Sequence, residues 1–436
     1  MDSYSETLSR IYNLRGGIID LRLDRMDQAL ALFDHPEKKY ASFHIAGTNG
    51  KGSTAAMLQR VFSVAGYRTA LYTSPHIVSF TERIRIGDVE ITPDEVVALA
   101  DEIWARTAAA NIPLTFFEFV TVMAFVYFAR KGVDVAVVEV GLGGRLDATN
   151  LVRSIVSVIT TISKDHEEYL GSDLNSIARE KGGIIKNRIP VVCGLFPPEA
   201  TEVIADIATG KESPFYALER NFILHLKSGG KFDYKGENWC FQELPVGLRG
   251  KHQRQNAAVA VAALEVGRRY FPVDETSIRR GLDSVVWPGR LEVMLRRPTV
   301  ILDGAHNGEG VKALADEIGG LRGSGHVKML FAAMEDKDWR LMLDTLSEKV
   351  DEIVLARVDM ERCADPRRLA TYVAGKISHR VIADSRTGLN WLLDNSGPDD
   401  IVLVTGSLYL LGEVRPMLEK RAEQSSLRGN DLSPVL

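Results

Sequence analysis

Along the chain, short apolar runs rich in Val and Ile alternate with segments whose apolar positions recur at helical spacing. That alternation predicts parallel α/β structure, because a strand covered on both faces by crossover helices reads as a nearly continuous hydrophobic run. In the first part the expected strands are residues 41–46, 69–73, 134–140, 155–161 and 190–194. Helical patterns lie between them, such as 52–65 and 93–110. The second of these opens with Thr92 as N-cap, Pro93 at the first helical position and Glu95 closing a capping box. Residues 222–248 break the rhythm: Gly229-Gly230 and Lys235-Gly236 turns separate alternating segments, which predicts a small antiparallel insertion. A helical stretch at 253–270 then leads to Trp287-Pro288-Gly289-Arg290, where a domain boundary is expected. Beyond it the rhythm restarts, with strands at 299–302, 327–331, 352–356, 380–383 and 400–405. The polar tail, 423–436, is expected to fray. The pattern therefore predicts a mostly parallel sheet domain over 1–288, with the antiparallel insertion, followed by a smaller Rossmann-like α/β domain over 289–436.

Composition narrows the class without changing that picture. A length of 436 residues exceeds what one hydrophobic core usually organises. A formal net charge of -5 argues against binding nucleic acid mainly by phosphate neutralisation. Residues 1–10 lack the apolar stretch of a signal peptide, and the apolar run at 116–130 is too short for a membrane span and carries Glu118. Cys193, Cys240 and Cys363 are widely spaced and odd in number, fitting a reducing compartment and neither a zinc site nor a disulfide framework. A cytoplasmic protein without nucleic-acid or membrane partners is expected.

The sharpest chemical feature is Gly47-Thr48-Asn49-Gly50-Lys51-Gly52-Ser53, between an expected strand and an expected helix. Glycines let successive backbone N–H groups turn toward one point, the helix start adds partial positive charge, and the lysine supplies a mobile full charge. Gly52 separates Lys51 from the Ser53 hydroxyl, a departure from the strict Walker spacing. The plainer reading is a glycine-rich strand–helix turn. Glu139 ends an apolar strand, where open α/β sheets bind ligands. A carboxylate there is either a buried structural partner or a metal ligand.

Further motifs follow in order: Thr73-Ser74-Pro75-His76, Glu82-Arg83-Ile84, Phe117-Glu118-Phe119, the run from Glu139 to Asn150, Asp165-His166 and Glu180-Lys181. Later come His252 to Asn256, Pro288-Gly289-Arg290, Asp303-Gly304-Ala305-His306-Asn307 and Thr405-Gly406-Ser407-Leu408-Tyr409. Together with the glycine loop, this set resembles the folylpolyglutamate synthase and dihydrofolate synthase family of the Mur ligase superfamily, from near residue 40 to near residue 412. The resemblance implies an ATP-dependent ligase with ATP as co-substrate. It places the nucleotide on Gly47 to Ser53, with Asn256 at adenine, Arg290 at the phosphates, Asp303 at the ribose and His306 nearby. It implies two Mg²⁺ sites served by Ser74, Glu139, His166 and Lys181, the last carrying a carbamate. In the family an alanine usually follows that lysine. Here Gly182 does, which is expected to loosen the helix end.

By the same resemblance Lys51, Lys181, Arg290 and His306 form the catalytic set. L-Glutamate would join dihydropteroate or a folate through an acyl phosphate. Thr115, Phe116, Phe117, Glu118, Arg145 and Asp147, with residues 21–25, would line the acceptor site. Two adjacent aromatics and a carboxylate suit a flat heterocycle with ring N–H donors, although the same stripe is core packing in most proteins. A bifunctional enzyme, monomeric like most of the family, is the leading expectation, and a monofunctional folylpolyglutamate synthase is the alternative. A cell-wall Mur ligase usually has an additional amino-terminal domain, and only some 40 residues precede the first strand here. A nucleotide-gated binding protein would have no use for the full catalytic set.

Overall fold

The computed structural model describes residues 3–14, 23–165, 170–171, 173–321 and 323–427. The chain divides into two compact units, Met1–Gly247 with Gln253–Val285, and Leu248–His252 with Val286–Leu436.

The first unit is built on strands β1 (Ala41–Ala46), β2 (Thr69–Tyr72), β3 (Ile84–Ile86), β4 (Val89–Glu90), β5 (Val135–Glu139), β6 (Ser154–Ile159), β7 (Val191–Cys193) and β8 (Phe215–Ala217). They form one sheet in the order β4-β3-β2-β5-β1-β6-β7-β8. From β2 to β8 every neighbouring pair is parallel, and β3 and β4 add an antiparallel edge. The helices are α1 (Tyr4–Asn13), α2 (Asp24–Ala31), α3 (Lys51–Val64), α4 (Pro93–Ala109), α5 (Phe116–Lys131), α6 (Leu174–Gly182), α7 (Pro198–Gly210), α8 (Lys251–Gly267) and α9 (Glu275–Asp283).

Both β5 and β6 are buried at every position, as central strands of a covered sheet must be. Helix α5 is apolar nearly all round, which marks a helix surrounded by protein. It packs with Ile11 of α1, Met26 and Leu30 of α2, Leu99 and Ile103 of α4, and Tyr72 and Val138 of the sheet. A second cluster joins Ile177 of α6 and Ile204 of α7 to Ile159 and Val191. Strands β9 (Ile223–Leu226), β10 (Phe232–Lys235) and β11 (Cys240–Leu244) form the separate antiparallel sheet that the glycine turns predicted.

In the second unit, β12 (Glu292–Arg296), β13 (Thr299–Leu302), β14 (Val327–Phe331), β15 (Glu352–Ala356), β16 (Ser378–Ile382) and β17 (Ile401–Thr405) form a sheet in the order β12-β13-β17-β14-β15-β16. It is parallel except for the edge strand β12. Helices α10 (Gly308–Leu321), α11 (Trp339–Ser347), α12 (Pro366–Val373), α13 (Ser385–Asp394) and α14 (Leu408–Leu427) complete it, and Ile301, Leu314, Met329, Met342 and Leu403 lie in its core.

The α/β architecture with two sheet-based units is as the pattern predicts. Four strands, β3, β4, β8 and β12, were not among those expected, and α14 stays helical to Leu427 where the tail was expected to fray. Residues 428–436 lie outside the described residues. Among the described residues no helix is long and apolar enough to cross a membrane.

Candidate active site

The sheet order places the carboxyl ends of β2, β5, β1 and β6 side by side. Strand β1 sits where the order reverses, since the chain next visits β2 and β5 on one side of it and β6 on the other. Such a switch point leaves a crevice at the carboxyl edge.

The glycine loop leaves β1 at this edge. Gly47 and Gly50 have φ of +148° and +82°, and a Cβ at these positions would lie 1.9 Å from Thr160 Oγ1 and 2.4 Å from Asn256 Oδ1. Both positions therefore need glycine for conformation and for space. The neighbouring strand end grips the loop from outside: Thr48 N donates to Thr161 O and Asn49 N to Thr161 Oγ1, both at 2.9 Å. Thr160 Oγ1 donates to Asn49 O at 2.6 Å. Helix α3 then begins with no side-chain cap, so its first N–H groups and partial positive charge suit an anion. Lys51 arches back over the loop, its Nζ donating to Gly47 O and Thr48 O at 3.0 Å each. Gly52 and Ser53 continue into the first turn of α3. Asn256, expected at adenine, is buried against Gly50 and donates from Nδ2 to Gln253 Oε1 at 3.1 Å.

Glu139 ends β5 in register with Ile45 of β1, one residue before the loop strand finishes. Its side chain is buried, and Oε2 accepts from the backbone N–H of Ser74 at 3.1 Å. Ser74 itself lies two residues beyond the end of β2. Lys181, on the last turn of α6, is 4% exposed. Burial pulls its amine down to about 7; the charge of Lys51 acts in the same direction and Asp165 opposes them. A far larger share of the Lys181 amine is therefore unprotonated near neutral pH than for an exposed lysine. His166 lies outside the described residues. Among the described residues no cluster of three His, Cys, Asp or Glu side chains could hold a metal ion.

Gly182 lies against α7. An added Cβ would meet Ile207 Cδ1 at 2.7 Å and Ile204 Cδ1 at 3.0 Å, so the side chains of α7 fill the place of a methyl group.

The expected acceptor residues fall into two groups. In the first, Glu118 closes a capping box with Thr115 at the start of α5. Its carboxylate also accepts from Arg25 Nε at 3.1 Å and Nη2 at 2.9 Å. The chain's own donors thus occupy a group expected to face a heterocycle. Phe116 stacks on Tyr12 with ring centroids 5.8 Å apart, and Phe117 lies against Gly141, where a Cβ would come within 2.4 Å of the ring.

In the second group, Asp147 accepts from Gly141 N, Leu142 N, Thr149 N and Thr149 Oγ1. Burial raises its pKa, and those hydrogen bonds offset part of the rise. Arg145 pairs with Glu180, Nη2 to Oε1 at 2.8 Å. Sequence reasoning gave no role to Arg83, which is buried and donates to His76 Nδ1 at 2.8 Å. Its place in the Glu82-Arg83-Ile84 motif was the available signal.

In the second unit, the buried Asp303 directly follows β13 and organises the turn before β12. Oδ2 accepts from Leu291 N and Oδ1 from Ala305 N, both at 2.9 Å. Arg290 precedes Leu291, whose φ of 47° lies in the left-handed region. His306 Nδ1 donates to Gly304 O at 2.7 Å, which leaves Nε2 as the acceptor nitrogen of the neutral ring.

A glycine phosphate loop at the switch point of a parallel sheet, followed by a second α/β unit, defines a nucleotide-binding α/β protein. Residues 45–264 match the family model of the Mur ligase middle domain, and residues 289–408 match the Mur ligase, glutamate ligase domain. The chain is 37% identical over 409 residues to the dihydrofolate synthase/folylpolyglutamate synthase of Bacillus subtilis, covering 91% of this chain and 95% of that one. It is 34% identical over 423 residues to the Escherichia coli protein of the same name, covering 95% of each. The structure of E. coli FolC in complex with DHPP and ADP matches with a TM-score of 0.89 at 32% identity, over 96% of this chain and 98% of that one. A structure of a bifunctional folylpolyglutamate synthase/dihydrofolate synthase with Mn, AMPPNP and L-glutamate bound matches with a TM-score of 0.87 at 32% identity, over 96% of this chain and 98% of that one. The chain belongs to the dihydrofolate synthase/folylpolyglutamate synthase family.

Proposed function

We propose that the chain is an ATP-dependent ligase that adds L-glutamate to dihydropteroate and to folates through an acyl phosphate. The observation that carries this reading is the meeting of the Gly47–Ser53 loop with Glu139 and Ser74 at adjacent strand ends, with Lys181 buried on the last turn of α6. Relatives whose structures hold ADP with DHPP, or AMPPNP with L-glutamate, support the substrates. Residues 1–288 are assigned as the ATP-binding domain and residues 289–436 as the glutamate-ligase domain.

In the reaction, a carboxylate oxygen of the acceptor attacks the γ-phosphorus of ATP, the bond to the bridging oxygen breaks, and ADP leaves. Lys51 and the N–H groups at the start of α3 offset charge on the phosphates. The amine of glutamate then attacks the acyl carbon, loses a proton, and displaces phosphate to leave an amide. Arg290, Asp303 and His306 are assigned to the same catalytic and nucleotide-binding set, and Asn256 to adenine.

The donor chemistry fits magnesium: Glu139 offers a buried carboxylate and Ser74 a hydroxyl for one ion, and His166 is assigned to a second. When bound, Mg²⁺ supplies charge neutralisation at the phosphates. A neutral Lys181 amine adds to carbon dioxide, forming a C–N bond and releasing one proton. The resulting carbamate would supply the anionic ligand for a second ion. The protein is assigned as a cytoplasmic monomer without membrane or nucleic-acid partners.

A monofunctional folylpolyglutamate synthase is the second reading, favoured by the engagement of Glu118 with Arg25 and Thr115. The test of the main reading is phosphate release from MgATP with and without glutamate, in the presence of acceptor. A pure nucleotide binder gives no glutamate-dependent turnover, and that result would refute the ligase.

A further inference from the structure

The chain leaving α6 is held in an unusual way. Four consecutive carbonyls, Gly183 to Lys186, each accept a hydrogen bond from a side chain. Asn150 Nδ2 reaches Gly183 O at 3.1 Å, and Ser157 Oγ reaches Ile184 O at 3.0 Å. Lys211 Nζ reaches Ile185 O, and Ser213 Oγ reaches Lys186 O at 2.7 Å. These carbonyls lie just past the end of α6 at Gly182, and buried backbone carbonyls need partners; here the donors come from three separate places: the turn at Ala148–Leu151, strand β6 and the segment after α7.

Lys186 closes the arrangement on itself. Its Nζ donates to Asn150 O at 2.5 Å and to Asn150 Oδ1 at 2.6 Å. The other end of the Asn150 amide, Nδ2, also donates to Arg145 O at 2.9 Å. Arg145 in turn donates from its backbone N to Glu180 O at 2.8 Å, beside the pairing of their side chains. The circuit Glu180–Arg145–Asn150–Lys186 and Asn150–Gly183 thus brackets Lys181 on both sides along the chain. Both oxygens that Lys186 meets are neutral, so its charge is not there to balance a carboxylate. Burial, with Lys211 nearby, holds the Lys186 amine down to about 8.

We propose that Lys186 is a positioning residue: through Asn150 it fixes the exit of α6 so that the Lys181 amine is presented where carbon dioxide adds. This rests on the carbamate reading of Lys181. A side chain that orients a ligand-bearing group typically contributes about 10–100-fold to occupancy or activity.

The test uses the whole protein equilibrated with ¹³C-bicarbonate, reading the carbamate carbon by NMR alongside steady-state kinetics, for wild type, Lys186→Met and Lys186→Gln. Lys186→Gln keeps a polar head and serves if Lys186→Met fails to fold by circular dichroism. The expected result is at least about a tenfold higher carbon dioxide requirement for the carbamate signal, a matching fall in kcat recovered by added bicarbonate, and an unchanged KM for ATP. A variant with wild-type carbamate occupancy at every bicarbonate concentration overturns the proposal, whether or not kcat falls. Absence of the carbamate signal from wild type itself refutes the carbamate reading, and the proposal with it.

Discussion

Replacing Lys181 by methionine should make the protein inactive and more stable at once. The lysine titrates near 7 in the folded chain against 10.5 when free, chiefly because it is buried. Between those values the unfolded chain binds a proton that the folded chain does not, so wild-type stability rises with pH by up to about 1.4 kcal/mol per unit. The sign follows for a base whose pKa is depressed: the cost is full below pH 7 and vanishes as pH passes the unfolded value. At about pH 7.5 it amounts to roughly 4 kcal/mol relative to a side chain that never ionises. Methionine retains an unbranched stem without the charge. Urea denaturation of both proteins in carbon-dioxide-free buffer, at about pH 6, 7.5 and 9, isolates this contribution. The variant should be more stable by several kcal/mol at the lower two values, with the gap narrowing toward the third. A gap that does not change with pH, or a variant less stable throughout, would refute the reasoning.

Other substitutions probe the remaining parts of the site. Glu139→Ala should abolish ADP release while costing about 1–3 kcal/mol of stability, the loss of the Ser74 hydrogen bond included; full ligase activity would remove Glu139 from the metal site. Gly50→Ala adds a Cβ 2.4 Å from Asn256 Oδ1 at a φ of +82°, and should raise the KM for ATP at least about tenfold while lowering stability by about 1–3 kcal/mol. An unchanged KM would mean that the loop geometry does not govern nucleotide binding. Glu118→Ala removes a helix cap and the carboxylate to which Arg25 Nε and Nη2 donate, so the urea midpoint should fall by the equivalent of about 1–3 kcal/mol. A shift below about 0.5 kcal/mol would show the Arg25–Glu118 pair to be dispensable.

The parts of the fold legible in the sequence were those encoded locally. Strand, glycine turn and helix follow one another around Lys51, and the Val-rich run ending at Glu139 announces a covered strand. The glycine turns of residues 229–236 announced the antiparallel sheet. Strands β3, β4, β8 and β12 gave no such signal, since each is at most five residues long and none is buried throughout. In the sequence, residues 419–426 are polar apart from Ala422 and offer no apolar stripe to read. Long-range pairing was equally silent: Arg25 and Glu118 lie 93 positions apart, and nothing in the sequence joins them. Lys181 stands among polar residues in Arg179-Glu180-Lys181-Gly182 and reads as a surface lysine. Its burial becomes visible only when α6 is packed against the sheet edge.

The account's central claim is a ligase that accepts both dihydropteroate and folates. Its most direct test is ADP release by the purified protein with MgATP and L-glutamate, comparing dihydropteroate with tetrahydrofolate as acceptor. Turnover with both is the predicted result. Turnover with tetrahydrofolate alone would establish the monofunctional reading, and turnover with neither would contradict the account.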